Sequence, residues 1–213
     1  MHIPDGILSG PVIGVTSLLG AAGVLVGLRK LDFSTIPRAG ILASAFFVAS
    51  LIHVPIGVSS THLLLCGLMG FFLGWAAFPA LAVALLLQAI LFGFGGLTSL
   101  GANVLAMGVP GVVCYYLFGV RLRPAMAGRT VFWLGFLGGA FSVVLATVVA
   151  GITLYATGRE FLAAAGAILV GHIPVVVIEG FVTGSAVAFV HKVRPELLAC
   201  PLPTSPPKEH TDA

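Results

Sequence analysis

Charge is what this sequence has little of. Seven acidic and ten basic residues make up 8% of 213 positions, against about a quarter in an ordinary soluble domain. That is too few to cover a globule in water. Hydrophobic residues reach 59% and the mean hydropathy is +1.15, so the medium around most of the chain is lipid. The formal net charge is only +3 and the positives are scattered through short loops, so no basic patch for nucleic acid is present. Cysteine is scarce too. Cys66, Cys114 and Cys200 stand far apart with no C-x-x-C, and neither a thiolate zinc site nor a disulfide framework is indicated. Lys and Arg are missing ahead of the first apolar run. The start, MHIPDGILSG, has His2 and Asp5 where a secretory signal would carry positive charge. These ten residues read as a segment that the protein keeps and uses.

What is present is a series of apolar runs. A spanning helix needs about 20 mostly apolar residues. Seven candidate spans emerge: 11–28, 39–53, 62–78, 80–94, 102–120, 130–156 and 161–190. Spans three and four are separated only by Pro79, so six is the alternative count. The expected fold is all-α, a polytopic membrane helix bundle over residues 1–193. Arg29, Lys30 and Arg38 follow span one, Arg121, Arg123 and Arg129 follow span five, and Lys192 and Arg194 follow span seven. With seven spans these basic regions share one side, which the positive-inside rule makes cytoplasmic. The N-terminus and the loops 54–61, 95–101 and 158–160 then lie outside. From Arg194 the chain is Pro-rich and polar, and 194–213 reads as a disordered cytoplasmic tail.

The outer segments carry His2, His53 and His62. A single His at a span end reads as a hydrogen-bonded interfacial residue. Three on one face, two of them bracketing HVPIGVSSTH, point to a metal. The Met1 amine, the His2 backbone nitrogen and His2 Nδ1 can chelate one ion through adjacent five- and six-membered rings. Another imidazole would complete a planar nitrogen set of the kind that suits Ni(II) or Cu(II). Pro4 and Gly6 form a turn that tucks the N-terminal segment, 1–10, inward.

Other polar residues admit two readings each. Ser60 and Thr61 satisfy loop backbone or cap the third span. Asn103 orients a ligand, bridges the N-terminal segment, or caps the fifth span. Gly96 belongs to a Gly-rich stretch that lets backbone pack closely over the site. His172 and Glu179 are seven residues apart on one helix face, and serve structure or coupling, since an intramembrane carboxylate is a functional candidate. Gly67-x-x-Gly70 and Gly135-x-x-Gly138 allow close helix packing, inside the bundle or against a partner.

MHIPDGILS, GVSSTH and QAILFGFGGLTSLGANVLAMG together resemble the CbiM/NikM family, the substrate-binding membrane subunits of energy-coupling-factor importers for cobalt and nickel. The resemblance runs from Met1 to about residue 116 and returns weakly at 173–184. It implies metal ligands at the Met1 amine, His2 and His62; His53, beside them on the outer face, reads as a supporting neighbour. It also implies a transmembrane coupling subunit, cytoplasmic ATPase subunits and a small accessory membrane subunit. The metal, Co(II) or Ni(II), is transported substrate; no cofactor is expected. Two positions depart from the family pattern, Ala106 and His53, where many relatives have Asn.

The competing classes are a standalone secondary metal carrier and an intramembrane metalloenzyme. Such carriers hold ligands at mid-membrane, often between internal repeats. No repeat is visible here and the ligands cluster at one face. A zinc peptidase would need H-E-x-x-H, and ATP hydrolysis a G-x-x-x-x-G-K-[ST] loop; the chain has neither.

Overall fold

The computed structural model describes residues 2–51, 54–56 and 59–199. Met1, His53 and the segment 200–213 lie outside these residues. The helices are α1 (Gly10–Arg29), α2 (Ile36–Leu51), α3 (Cys66–Leu73), α4 (Ala77–Phe92), α5 (Leu100–Leu117), α6 (Gly128–Thr157), α7 (Leu162–Gly171) and α8 (Ile173–Val193). The loop expected at 54–61 holds a small antiparallel ribbon, β1 (Val54–Ile56) with β2 (Ser59–Thr61), Val54 pairing with Thr61. The rest is the expected helix bundle.

The helices are apolar on the wrong side for water. On α1 the buried positions are Thr16, Gly20, Gly23 and Gly27, while Leu18 is 72% exposed. Ile41, Ile90, Ile152 and Phe189 also point outward. Small residues inside and bulky aliphatic ones outside are the pattern of helices packed in lipid. Among the described residues, five stretches are long and apolar enough to cross a bilayer: Gly10–Arg29, Cys66–Phe92, Leu100–Arg121, Gly128–Thr157 and Ile173–Val193. The shorter α2 adds another apolar helix.

Cys66–Phe92 is two passages rather than one. Gly70 packs on Gly111 and Gly74 on Tyr115, so α3 runs parallel to α5. Phe78 packs on Gly108, and the far end of α4 leads to Phe94, which stacks near His2, so α4 runs antiparallel to α5. The chain therefore reverses at Gly74–Ala76, a short 3-10 turn. Gly74 has φ +53°, a left-handed conformation that costs glycine little and other residues more. The break expected at Pro79 falls here instead. Pro79 sits in the first turn of α4, where its missing N–H is not needed.

Two expected spans change shape. The third, 62–78, is not helical from its start: 62–65 is irregular and only Cys66–Leu73 is helix. The seventh, 161–190, is broken at His172 into α7 and α8. α8 then lies along α6, with Gly184 on Gly135 and Glu179 and Thr183 on Gly139. Gly67 meets Gly139 and Gly138 meets Phe71, so both small-residue spacings serve packing inside the bundle. Around them sits the main core, including Phe46, Met69, Leu81, Met107, Val143 and Val187.

The tail is not free from Arg194 onward. Residues 195–197 form a 3-10 turn. Arg38 donates to Leu197 O at 2.7 Å, Ala199 N–H donates to Phe71 O at 2.9 Å, and Leu198 is buried. An apolar pair in LLA and an arginine partner draw this stretch onto the bundle.

Candidate metal-binding site

The N-terminal segment is docked, and its own sequence does the docking. Ile3 and Leu8 are buried against Ala102, Ala106, Ala150 and Leu154. The Asn103 side chain takes both backbone groups of Ile3. Its Oδ1 accepts Ile3 N–H at 2.9 Å and its Nδ2 donates to Ile3 O at 3.1 Å. Ser99 Oγ donates to the same carbonyl at 2.7 Å.

Asp5 adds a second anchor. Its carboxylate accepts the N–H groups of Leu97, Thr98 and Ser99 at 3.0–3.1 Å and the Thr98 hydroxyl at 2.5 Å. These amides precede α5, where no helical carbonyl can reach them. The negative charge also suits the positive end of the helix. The Thr98 hydroxyl, helped by those backbone donors, holds the Asp5 pKa below its usual value. Sequence reasoning saw Asp5 only as an absence of positive charge. A carboxylate near a chain start, and a T-S pair before a helix, is a signal that would have found the contact.

Glycine makes the docking possible. A Cβ at Gly96 would run into the Asp5 carboxylate. Gly95, which the motif reading left unnamed, has φ +76°, and a Cβ there would lie 2.9 Å from Asn103 Nδ2 and 3.5 Å from His2 Cβ.

This anchoring carries His2 to His62. Their rings stack with centroids 4.8 Å apart and planes at 21°. Phe94 stacks on His2 at 6.3 Å and 7°, another neighbour that the motif reading did not name. Both ring nitrogens of His2 are shut off from solvent, and His62 is 3% exposed. His62 Nδ1 lies 2.8 Å from Leu63 O. A carbonyl only accepts, so Nδ1 carries the proton and Nε2 keeps the lone pair that a metal needs.

The other candidates divide. Met1 and His53 lie outside the described residues. Ser60 and Thr61 are placed as residues of β2. Glu179 is fully buried, and its Oε1 accepts the N–H groups of Leu64 and of Leu65, the latter at 2.7 Å. His172 is at the joint between α7 and α8, with Nδ1 2.7 Å from Ile168 O. It caps the start of α8, its carbonyl accepting Val176 N–H at 2.9 Å, and so stands two turns before Glu179 on that helix, as the spacing implied. Among the described residues no three His, Cys, Asp or Glu side chains gather at one point. The arrangement offers two close imidazoles, one of them on the docked N-terminal segment, at the end of the bundle away from Arg29, Arg121 and Lys192.

Comparison with known proteins agrees on one family. The family model described as the cobalt uptake substrate-specific transmembrane region matches residues 2–197, well past the part whose motifs are legible. A Haemophilus influenzae protein whose name places it in metal transport is 40% identical over 199 residues, 93% of this chain and 97% of that protein. The fused nickel transport protein NikMN of Rhodobacter capsulatus is 34% identical, over 99% of this chain and 67% of that protein. A crystal structure of a transition metal transporter matches with TM-score 0.75 and 27% identity, covering 91% of this chain and 93% of that one.

Proposed function

The chain belongs to the family of cobalt uptake substrate-specific transmembrane regions, and from that premise we propose that it is the binding subunit of an energy-coupling-factor importer for Co(II) or Ni(II). It captures the ion at the outer face of a prokaryotic plasma membrane. The ligands are the Met1 amine, the backbone nitrogen and Nδ1 of His2, and Nε2 of His62. A nitrogen set of this kind favours Ni(II), and Co(II) can use the same donors. The integral domain, expected to end at 193, extends to the docked stretch 195–199, with 1–10 as the binding segment.

The observation that carries this reading is the pairing of His2 with His62. Residues sixty positions apart bring two imidazoles to 4.8 Å, and the N-terminal segment is pinned beside them by Asp5 and Asn103. Bundle cores hold few buried imidazoles without a partner or a task. His53, Ser60, Thr61, Gly96 and Asn103 support the site, and Glu179 and His172 take part in coupling it to the far end.

Energy comes from other chains. No phosphate-binding loop occurs in the sequence, so a coupling subunit and paired ATPases complete the importer. The fused relative, a third of which lies beyond this chain, supports an assembly with further subunits, including a small accessory one. The test is metal content after purification from cells given both ions. The wild-type protein is expected to hold about one Ni(II) or Co(II) per chain, His62→Ala close to none, and His53→Ala an intermediate amount. Loss in His53→Ala with retention in His62→Ala would reverse the ligand assignment.

A further inference from the structure

The crossing that begins at His62 contains irregular backbone inside the bundle. Residues 62–65 make no regular structure, and Leu65 has φ +49°, left-handed for a residue that is not glycine. Irregular backbone survives at membrane depth only when its polar groups find partners within the protein. Here side chains supply them. Glu179 Oε1 accepts Leu64 and Leu65 N–H, Cys66 Sγ donates to Leu64 O at 3.4 Å, and His62 Nδ1 donates to Leu63 O at 2.8 Å.

Leu63 C=O and Leu64 N–H belong to one peptide group. That peptide is held at both ends. Its N–H donates to the Glu179 carboxylate, and its oxygen accepts from His62. The hydrogen bonds therefore run without interruption from a buried carboxylate, through a peptide, to the imidazole. Metal-binding histidines commonly donate their second N–H to a carboxylate or a backbone carbonyl, which fixes the tautomer and strengthens the ligand nitrogen. This protein has both groups in series. A carboxylate on the N–H side polarises the peptide, so its carbonyl becomes a better acceptor for Nδ1–H.

We propose that Glu179 is a positioning residue for His62, acting through the 63–64 peptide to hold the Nδ1–H tautomer and to present Nε2 as a ligand. The inference rests on the metal-site reading above. It also gives the fully buried Glu179 a task beyond joining α8 to α3. The link is directional: α8 carries Glu179 in its second turn, and its last turn bonds to the opposite end of the bundle, His191 Nε2 to Arg123 O at 2.9 Å. A shift of α8 would act on the ligand through this relay.

The test has two readouts, one of which needs no metal. In apo protein with 15N-labelled histidine, the His62 tautomer is read by NMR. The wild-type protein should show Nδ1–H. Glu179→Leu should lose that preference and bind Ni(II) about 10–100-fold more weakly, the usual scale for a partner behind the ligand. Glu179→Gln keeps an oxygen that can accept from both amides, and should lose less than about tenfold. Thr183→Val, one turn away and outside the relay, should leave tautomer and affinity unchanged. If Glu179→Leu does not fold, Glu179→Gln decides: a measurable change in the His62 Nδ1 signal supports the relay, and an identical signal overturns it. Wild-type tautomer in folded Glu179→Leu overturns it as well, and so does an equal loss in Thr183→Val. A tautomer that responds in protein that binds neither Ni(II) nor Co(II) would leave the relay standing and remove the metal reading instead.

Discussion

Asn103 grips Ile3 by both its N–H and its C=O, 100 residues away in sequence, through hydrogen bonds of 2.9 and 3.1 Å. The side-chain amide acts toward that residue as a neighbouring strand would. The consequence is positional, because Ile3 follows His2 directly. Asn103→Leu removes the acceptor and the donor together. It should leave the bundle folded in detergent and weaken Ni(II) or Co(II) binding by about 10–100-fold, the range for groups that orient ligands. Titration calorimetry on the purified variant checks this.

Asp5 makes the docking depend on pH in a definite direction. Its folded-state pKa is lowered, mainly by the Thr98 hydroxyl. A depressed carboxylate contributes stability that is present above its unfolded pKa and is lost as pH falls through the folded value. At neutral pH the contribution is complete. Asp5→Asn should therefore speed amide exchange at residues 97–99 near pH 7, and the difference from wild type should vanish once the pH is below the Asp5 titration. A difference that persists unchanged there would point to shape rather than charge.

Gly96 tests the close approach. Gly96→Ala places a methyl where the Asp5 carboxylate sits, so the N-terminal segment must lift. Proteolysis of residues 2–9 should become faster in Gly96→Ala, while Gly14→Ala, at a position with open space around it, should behave as wild type.

The transmembrane arrangement was largely legible. Arg29, Arg121 and Lys192 fall at one end of the bundle, and α1, α2, α5 and α6 lie close to where apolar length places them. HLLLCG was not legible, since three leucines continue any helical pattern. What breaks it is Glu179, more than a hundred residues later, whose carboxylate takes amides that a helix would have used. The join at His172 lies inside one apolar run, and its signal is Pro174 in the first turn of α8, which has no N–H with which to continue the ladder of α7. His2, His62 and Asn103 could be named from motifs. Asp5, Gly95 and Phe94 became visible only when the N-terminal segment was seen lying against 94–103.

Orientation can be read in intact cells, after the native cysteines are replaced. Ser60→Cys should react with an impermeant thiol reagent and Arg123→Cys should not. The reverse pattern would turn the protein over in the membrane and put the proposed site on the cytoplasmic side.

Metal affinity should fall in acid. The amine and both imidazoles must be unprotonated to bind, and their reference pKa values are about 7.7–8.0 and about 6.5. Binding at pH 8 should release protons, and affinity at pH 5.5 should be far lower. Equal affinity at both would take these nitrogens out of the coordination sphere.

The most direct measurement inserts Leu-Pro between Met1 and His2 and counts metal in the purified protein. The insertion leaves His2, His62, Asn103 and Asp5 in the chain but places between the amine and His2 a tertiary amide with no proton to lose, so the paired chelate rings cannot form; a single Ala would not serve, since Met-Ala-His offers an amine, two amides and an imidazole to one ion. The chelate account predicts that Ni(II) and Co(II) are nearly absent, while the protein folds and runs as wild type on size exclusion. Wild-type stoichiometry in the insertion variant would contradict it.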